Sequence, residues 1–284
     1  MSLRSIEYLD ELTDQYDLIA CDVWGVIHNG EASFPDAAAA LMKARTAGKC
    51  VVLITNSPRP APGVVDQLNG LNVSQAAFDG IVTSGDVTRT LITANDRRVF
   101  HLGPERDLAL FEGLNVELVA EGDAGSVVCT GLVDDETETP SDYADLLDRL
   151  QHRGVPFICA NPDIVVERGD RLLYCAGALA RDYAELGGKT LIAGKPHTPI
   201  YERVFTVAKK LMGSEVDKSR VLAIGDGVTT DVKGANDAGL DLLFVTNGIH
   251  AREYGEPGKP EVAHVEQFLA DHGASATAMT VRLA

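Results

Sequence analysis

The chain has 284 residues, 45% hydrophobic and 24% charged, with a formal net charge of −17. This composition suits a globular chain long enough for two domains and a sizeable core. The acidic balance argues against nucleic acid or an anionic membrane surface as a partner, because both call for a basic footprint.

Residues 5–15 read as a short leading helix, and the apolar run 16–21 as a strand that delivers Asp22. Residues 35–47 form the next helical pattern, ended by Gly48. The run 50–54 is a strand that delivers Thr55-Asn56-Ser57. A helix at 61–71, a strand at 81–84 and a helix at 86–94 follow. A second α/β pattern then begins, with strands at 99–102, 116–119 and 126–130. A helix covers 141–153, with Ser141 as its cap and Gly154 as its stop. The strand 156–160 leads into Asn161-Pro162-Asp163. The run 190–193 delivers Gly194-Lys195-Pro196, and 221–224 delivers Gly225-Asp226-Gly227 with Asp231 five residues on. Apolar runs alternating with amphipathic stretches predict βαβ units and a doubly wound, Rossmann-like parallel sheet.

Taken singly, each polar motif has an ordinary explanation. An Asp after a strand caps a helix or makes a turn, and Gly-Asp-Gly, Gly-Lys-Pro and Thr-Asn-Ser are common turn or cap tripeptides. Taken together they supply complementary chemistry at successive strand ends, where ligands of open α/β sheets bind. A carboxylate nucleophile, a hydroxyl, an ammonium and a pair of metal-binding acids would share one crevice and make a phosphate site.

The order and wording of these motifs resemble the haloacid dehalogenase superfamily, specifically its NagD-like subfamily IIA. The resemblance covers nearly the whole chain and is most specific over residues 225–240, GDGVTTDVKGANDAGL. Asn161-Pro162-Asp163 looks like that subfamily's cap motif, and the stretch from Gly177 to Glu202 reads like the cap's exit. The resemblance implies a discontinuous core, 1–86 and 189–284, with an α/β cap inserted at 87–188. It implies a Mg²⁺-dependent phosphatase acting on a small phosphorylated metabolite through an aspartyl-phosphate at Asp22. Lys195 would neutralise the phosphate and Asp22, and Thr55, Asn56 and Ser57 would hold phosphoryl oxygens. Asp22, Asp226 and the backbone carbonyl of Trp24 would bind Mg²⁺, with Asp231 a further ligand or an orienting group. The sequence does not fix the oligomeric state; in the family this resembles, caps of this type often pair subunits, so a homo-oligomer through the cap is one outcome the resemblance implies.

The chain departs from the pattern at Trp24. The phosphatases of this superfamily carry a second Asp two residues after the nucleophile, as proton donor and base, and an indole can do neither near neutral pH. Three readings stay open: protonation from water, substrate or a side chain such as His28; a non-ester, phosphonate-type hydrolase; or a phosphate-binding protein that has lost turnover. A haloacid substrate is disfavoured because Asp226 and Asp231 retain an acidic pair that dehalogenation does not need. Phosphoacceptor signalling domains share the residue types, but in them the acidic pair comes first and the phosphoacceptor later.

Selectivity for the rest of the substrate is expected from the cap, with Asn161, Asp163 and the loops around 130–139 as candidates. The acidic run 134–138 reads as a solvated loop, and Arg59 as an exposed arginine within reach of phosphate. Five cysteines without paired spacing, and the lack of an apolar signal stretch, point to buried thiols and a cytoplasmic location. No apolar run approaches the roughly eighteen residues of a membrane span.

Overall fold

The computed structural model describes residues 3–169 and 171–284. Seven strands form one parallel sheet in the order Arg4–Ser5, Ala278–Thr280, Asp241–Val245, Val221–Gly225, Leu18–Asp22, Cys50–Thr55 and Gly80–Thr83. The runs Leu18–Asp22, Cys50–Thr55 and Val221–Gly225 are buried from end to end. Strands covered on both faces require such unbroken apolar runs, which is why they stood out in the sequence.

After its edge strand the chain enters the middle of the sheet at Leu18–Asp22 and then adds Cys50–Thr55 and Gly80–Thr83 on one side. It returns later to add Val221–Gly225 and Asp241–Val245 on the other. The winding direction therefore reverses between Leu18–Asp22 and Val221–Gly225, where Cys21 pairs with Ile224. Carboxyl ends on either side of such a reversal border a crevice.

The helix Pro35–Thr46 shows why the intervening segments coil. Pro35 presets the first helical φ, and Ala37, Ala40, Leu41 and Ala44 are buried at the spacing of one helix face. The leading segment differs from expectation. Arg4–Ser5 pairs in parallel with Ala278 and Met279, and only Asp10–Thr13 is helical. The free edge of Ala278–Thr280 offers backbone partners that a short isolated helix lacks.

By internal contacts the chain forms two compact units. One comprises the residues up to Thr55, Val65–Val82 and Tyr201–Ala284, and the other Asn56–Val64 and Thr83–Ile200. The second unit has its own five-stranded parallel sheet, ordered Thr190–Ile192, Phe157–Cys159, Ser126–Cys129, Arg98–Leu102 and Glu117–Leu118. Side chains alternate across it, as the two-residue strand period demands. Val127, Cys129, Phe157 and Cys159 join one apolar cluster, and Val99, Val128, Ile158 and Ala160 join another. Phe157 is fully buried and stacks on Tyr183 with centroids 5.0 Å apart. Phe157→Ala is expected to destabilise by about 3–5 kcal/mol, read as a lower urea midpoint at unchanged slope.

Two further details of this unit depart from expectation. The helix predicted over 141–153 is capped at Thr139, whose backbone N–H donates to Asp142 at 2.7 Å. Its first turn, Pro140–Tyr143, is a 3₁₀ turn, and the α-helix runs Ala144–His152. An antiparallel pair, Val165–Arg168 with Arg171–Tyr174, was unexpected because charges interrupt its apolar residues. All five cysteines are buried free thiols. Among the described residues no helix is long and apolar enough to cross a membrane.

Candidate active site

Asp22 closes the strand Leu18–Asp22, and Asp226 directly follows Val221–Gly225 on the neighbouring strand. Asp231 reaches the same place from a π-helical turn, Val228–Val232, in which the N–H of Val232 bonds back to Gly227 at 3.0 Å. Such widened turns recur at functional sites because the extra residue re-aims a side chain. All three carboxylates are buried, at 6%, 6% and 4% exposure, and offer oxygens within 4.8 Å of one another.

Backbone donors fix each carboxylate. Asp22 Oδ1 accepts the N–H of Val23 at 2.7 Å, Asp226 Oδ2 that of Ile249 at 2.8 Å, and Asp231 Oδ2 that of Gly227 at 3.1 Å. Glycine makes the close approach possible. A Cβ on Gly25, where φ is +82°, would lie 2.2 Å from Asp226 Oδ2, and one on Gly225 would lie 2.2 Å from Asp231 Cγ. Three like charges at this spacing repel by roughly 3 kcal/mol per pair at an effective dielectric near 20. A hard cation among them would turn that repulsion into attraction, and carboxylate oxygens are the donors Mg²⁺ prefers.

Thr55 ends the adjacent strand and is buried. The loop after Asp22 carries Trp24, whose backbone forms a bridge with His28 and whose ring meets the His28 ring edge to face at 4.9 Å. His28 Nδ1 accepts the N–H of Gly30 at 3.0 Å, which puts the imidazole proton on Nε2. Burial pushes its pKa down to about 4, so the ring is neutral near pH 7 and is not an imidazolium acid.

One contributor was missed in the sequence. The loop Gly248-Ile249-His250 supplies the amide that holds Asp226, and His250 Nε2 accepts the N–H of Val228 at 3.2 Å. Burial lowers the pKa of this histidine too. The signal was available: Thr246-Asn247-Gly248 follows the apolar strand Asp241–Val245 just as Thr55-Asn56-Ser57 follows Cys50–Thr55.

The other predicted residues lie in the second unit. Lys195 is buried at 2% exposure, and its backbone N–H donates to Asn56 Oδ1 at 2.7 Å. Asn56 Nδ2 donates to Asp163 Oδ1 at 2.8 Å, so the motifs at 56, 163 and 195 come together. Asn161 Oδ1 accepts the N–H of Asp163 at 3.1 Å, the self-bonded turn that Asx residues favour. Ser57 Oγ accepts the N–H of Arg59 at 3.3 Å. Arg59 is half-buried and pairs with the buried Asp107 at 3.4 Å, whose pKa burial raises. The acidic run is tied down by arginines: Asp135 pairs with Arg106 and Arg168, and Glu136 with Arg168 and Arg171.

Comparison with known proteins agrees with this fold. The haloacid dehalogenase-like hydrolase family model matches residues 19–117, and a HAD-hydrolase-like model matches 192–272. A haloacid dehalogenase-like hydrolase of Brucella suis 1330 is 57% identical, with 98% of this chain and 100% of that one covered and a TM-score of 0.90. A 4-nitrophenylphosphatase of Thermotoga maritima is 25% identical, with 95% of each chain covered and a TM-score of 0.70. The 5'-nucleotidase YutF of Bacillus subtilis is 26% identical over 254 residues, 88% of this chain and 94% of its own length. Sheet order, clustered carboxylates and these likenesses converge: the chain belongs to the haloacid dehalogenase-like hydrolases, in their NagD-like branch.

Proposed function

We propose that the chain is a Mg²⁺-dependent phosphoric monoester hydrolase that cleaves a small phosphorylated metabolite through an aspartyl-phosphate at Asp22. The observation that carries this reading is the trio Asp22, Asp226 and Asp231, buried with oxygens within 4.8 Å at adjoining strand ends. The 4-nitrophenylphosphatase and 5'-nucleotidase relatives support a phosphate ester as substrate. Residues 87–188 form the inserted cap in this reading.

In the first half-reaction a carboxylate oxygen of Asp22 forms a bond to phosphorus while the bond to the ester oxygen breaks. The leaving alcohol takes its proton from solvent or substrate, since neither Trp24 nor neutral His28 supplies one. Water then attacks the phosphorus of the aspartyl-phosphate, releasing inorganic phosphate and restoring the carboxylate. Thr55 and the amides of Asn56 and Ser57 hold the phosphoryl oxygens, and Lys195 balances their charge. Asp22, Asp226, Asp231 and the Trp24 carbonyl would hold Mg²⁺, which supplies charge neutralisation for a phosphoryl group in an otherwise acidic protein. Trp24 also favours a second reading, a phosphate-binding protein with lost turnover or a phosphonate-type hydrolase. Phosphate release from a panel of monoesters, with and without Mg²⁺, separates the two.

Metal dependence follows from the like charges. Chelation is expected to stop hydrolysis and added Mg²⁺ to restore it, whereas full activity in chelator contradicts the metal site. Asp226→Asn is expected to weaken Mg²⁺ binding, followed by calorimetry, more than Asp231→Asn. Gly25→Ala is expected to weaken it at least about tenfold, because a new Cβ displaces Asp226 and second-layer disturbances of metal sites cost 10–100-fold.

A further inference from the structure

Asn56 is buried at 3% exposure and serves both backbone groups of Lys195. Its Oδ1 accepts the lysine N–H at 2.7 Å, and its Nδ2 donates to the lysine carbonyl at 3.3 Å. The same Nδ2 donates to Asp163 Oδ1 at 2.8 Å. A primary amide can turn over, exchanging its oxygen and nitrogen ends. Asp163 removes that freedom, because a carboxylate accepts only from the nitrogen end and so directs the oxygen at the lysine N–H. The junction is close-packed: a Cβ on Gly194 would lie 2.5 Å from Asn56 Oδ1 and 2.7 Å from the Pro162 ring. Asp163 is itself held by the Asn161 turn and by the N–H of Gly177, which donates to its carbonyl at 3.2 Å.

We propose that Asp163 is a positioning residue for Lys195: it fixes the orientation of Asn56 and thereby the backbone from which the lysine projects. This rests on the proposed role of Lys195 as the cation that balances the phosphoryl charge. In this account Asn161 and Asp163 form a brace across three segments, and the carboxylate is used inside the protein.

The test is steady-state hydrolysis of an aryl phosphate with Mg²⁺ by Asp163→Ala, Asp163→Asn, Asn56→Asp, the exchange Asn56→Asp with Asp163→Asn, and Lys195→Ala, with melting temperatures alongside. Asp163→Ala is expected to lower kcat about 10²-fold with KM changed less than about threefold, since a displacement near 1 Å costs that much. Asp163→Asn replaces the acceptor-only group with an amide that can itself turn over, and its kcat is expected to fall between those of Asp163→Ala and the wild type. Asn56→Asp sets two carboxylates against each other and loses the donor to the Lys195 carbonyl, and is expected to be impaired; the exchange restores the donor–acceptor pair between 56 and 163, though not the bond to the carbonyl, and recovers at least about tenfold over Asn56→Asp. The proposal is overturned by a near wild-type kcat in Asp163→Ala, by a loss confined to KM, by an exchange no better than Asn56→Asp, or by rates that track melting temperature. If Asp163→Ala does not fold, Asp163→Asn and the exchange decide alone. Near wild-type activity in Lys195→Ala would instead remove the lysine's proposed role, so the two failures are distinct.

Discussion

Asp22→Asn is expected to abolish phosphate release, with a loss of at least about 10⁴-fold, the scale on which nucleophile replacements act. The carboxamide is nearly isosteric and keeps an oxygen for the Val23 N–H, which donates to Asp22 at 2.7 Å. What it loses is the charge and nucleophilicity that attack phosphorus. In metal-free protein the same change relieves repulsion among three buried carboxylates, so thermal stability should hold or rise. Circular dichroism and a melting curve check the fold, and a phosphate-release assay checks the chemistry. Substantial turnover by the folded variant would refute the aspartyl-phosphate route.

The second large effect concerns Trp24. With an indole two residues beyond Asp22 and a neutral, amide-bonded His28 beside it, neither of these two side chains is suited to protonate a leaving alkoxide. The rate should therefore depend steeply on leaving-group pKa, and aryl or acyl phosphates should exceed alkyl phosphates by about 10²–10⁴-fold, the usual contribution of a general acid. Trp24→Asp is expected to raise alkyl phosphate turnover, offset where loss of the indole leaves a cavity against His28. A plot of log kcat/KM against leaving-group pKa gives the slope. A flat line with rapid alkyl turnover would mean that another group delivers the proton, and an unchanged rate in His28→Asn would then exclude His28.

The legible parts of the fold share one physical cause. Leu18–Asp22, Cys50–Thr55 and Val221–Gly225 are covered on both faces, so burial wrote itself into the sequence as unbroken apolar runs. Asp22 and Asp226 could be read from the polar residue that ends each run. Arg4–Ser5 could not, since two exposed residues carry no pattern and their pairing depends on a strand more than 270 positions away. The hairpin Val165–Arg168 with Arg171–Tyr174 was hidden for a similar reason, because its arginines and glutamate break the alternation that marks a half-buried strand.

The residue types of the candidate site were legible in the sequence, and their connections less so. Nothing in a turn tripeptide announces that Asn56 bonds both Lys195 and Asp163, residues more than a hundred positions away. Nor does the loop carrying Gly248 and Ile249 announce that it holds Asp226, since the contact uses backbone N–H, which every residue but proline carries. Arg59 illustrates the opposite limit. In sequence it reads as an exposed arginine within reach of phosphate, and only the three-dimensional arrangement reveals that it is half-buried beside the buried Asp107.

The most direct measurement is trapping of the covalent intermediate. The protein is mixed with Mg²⁺ and an aryl phosphate, quenched in acid within the first turnover, and its peptides are examined by mass spectrometry before and after borohydride reduction. The account predicts one phosphoryl group on the peptide carrying Asp22, converted to homoserine at that position by reduction and absent in Asp22→Asn. Full release of the aryl alcohol in the first turnover with Asp22 unmodified, or a phosphoryl group on any other residue, would contradict it.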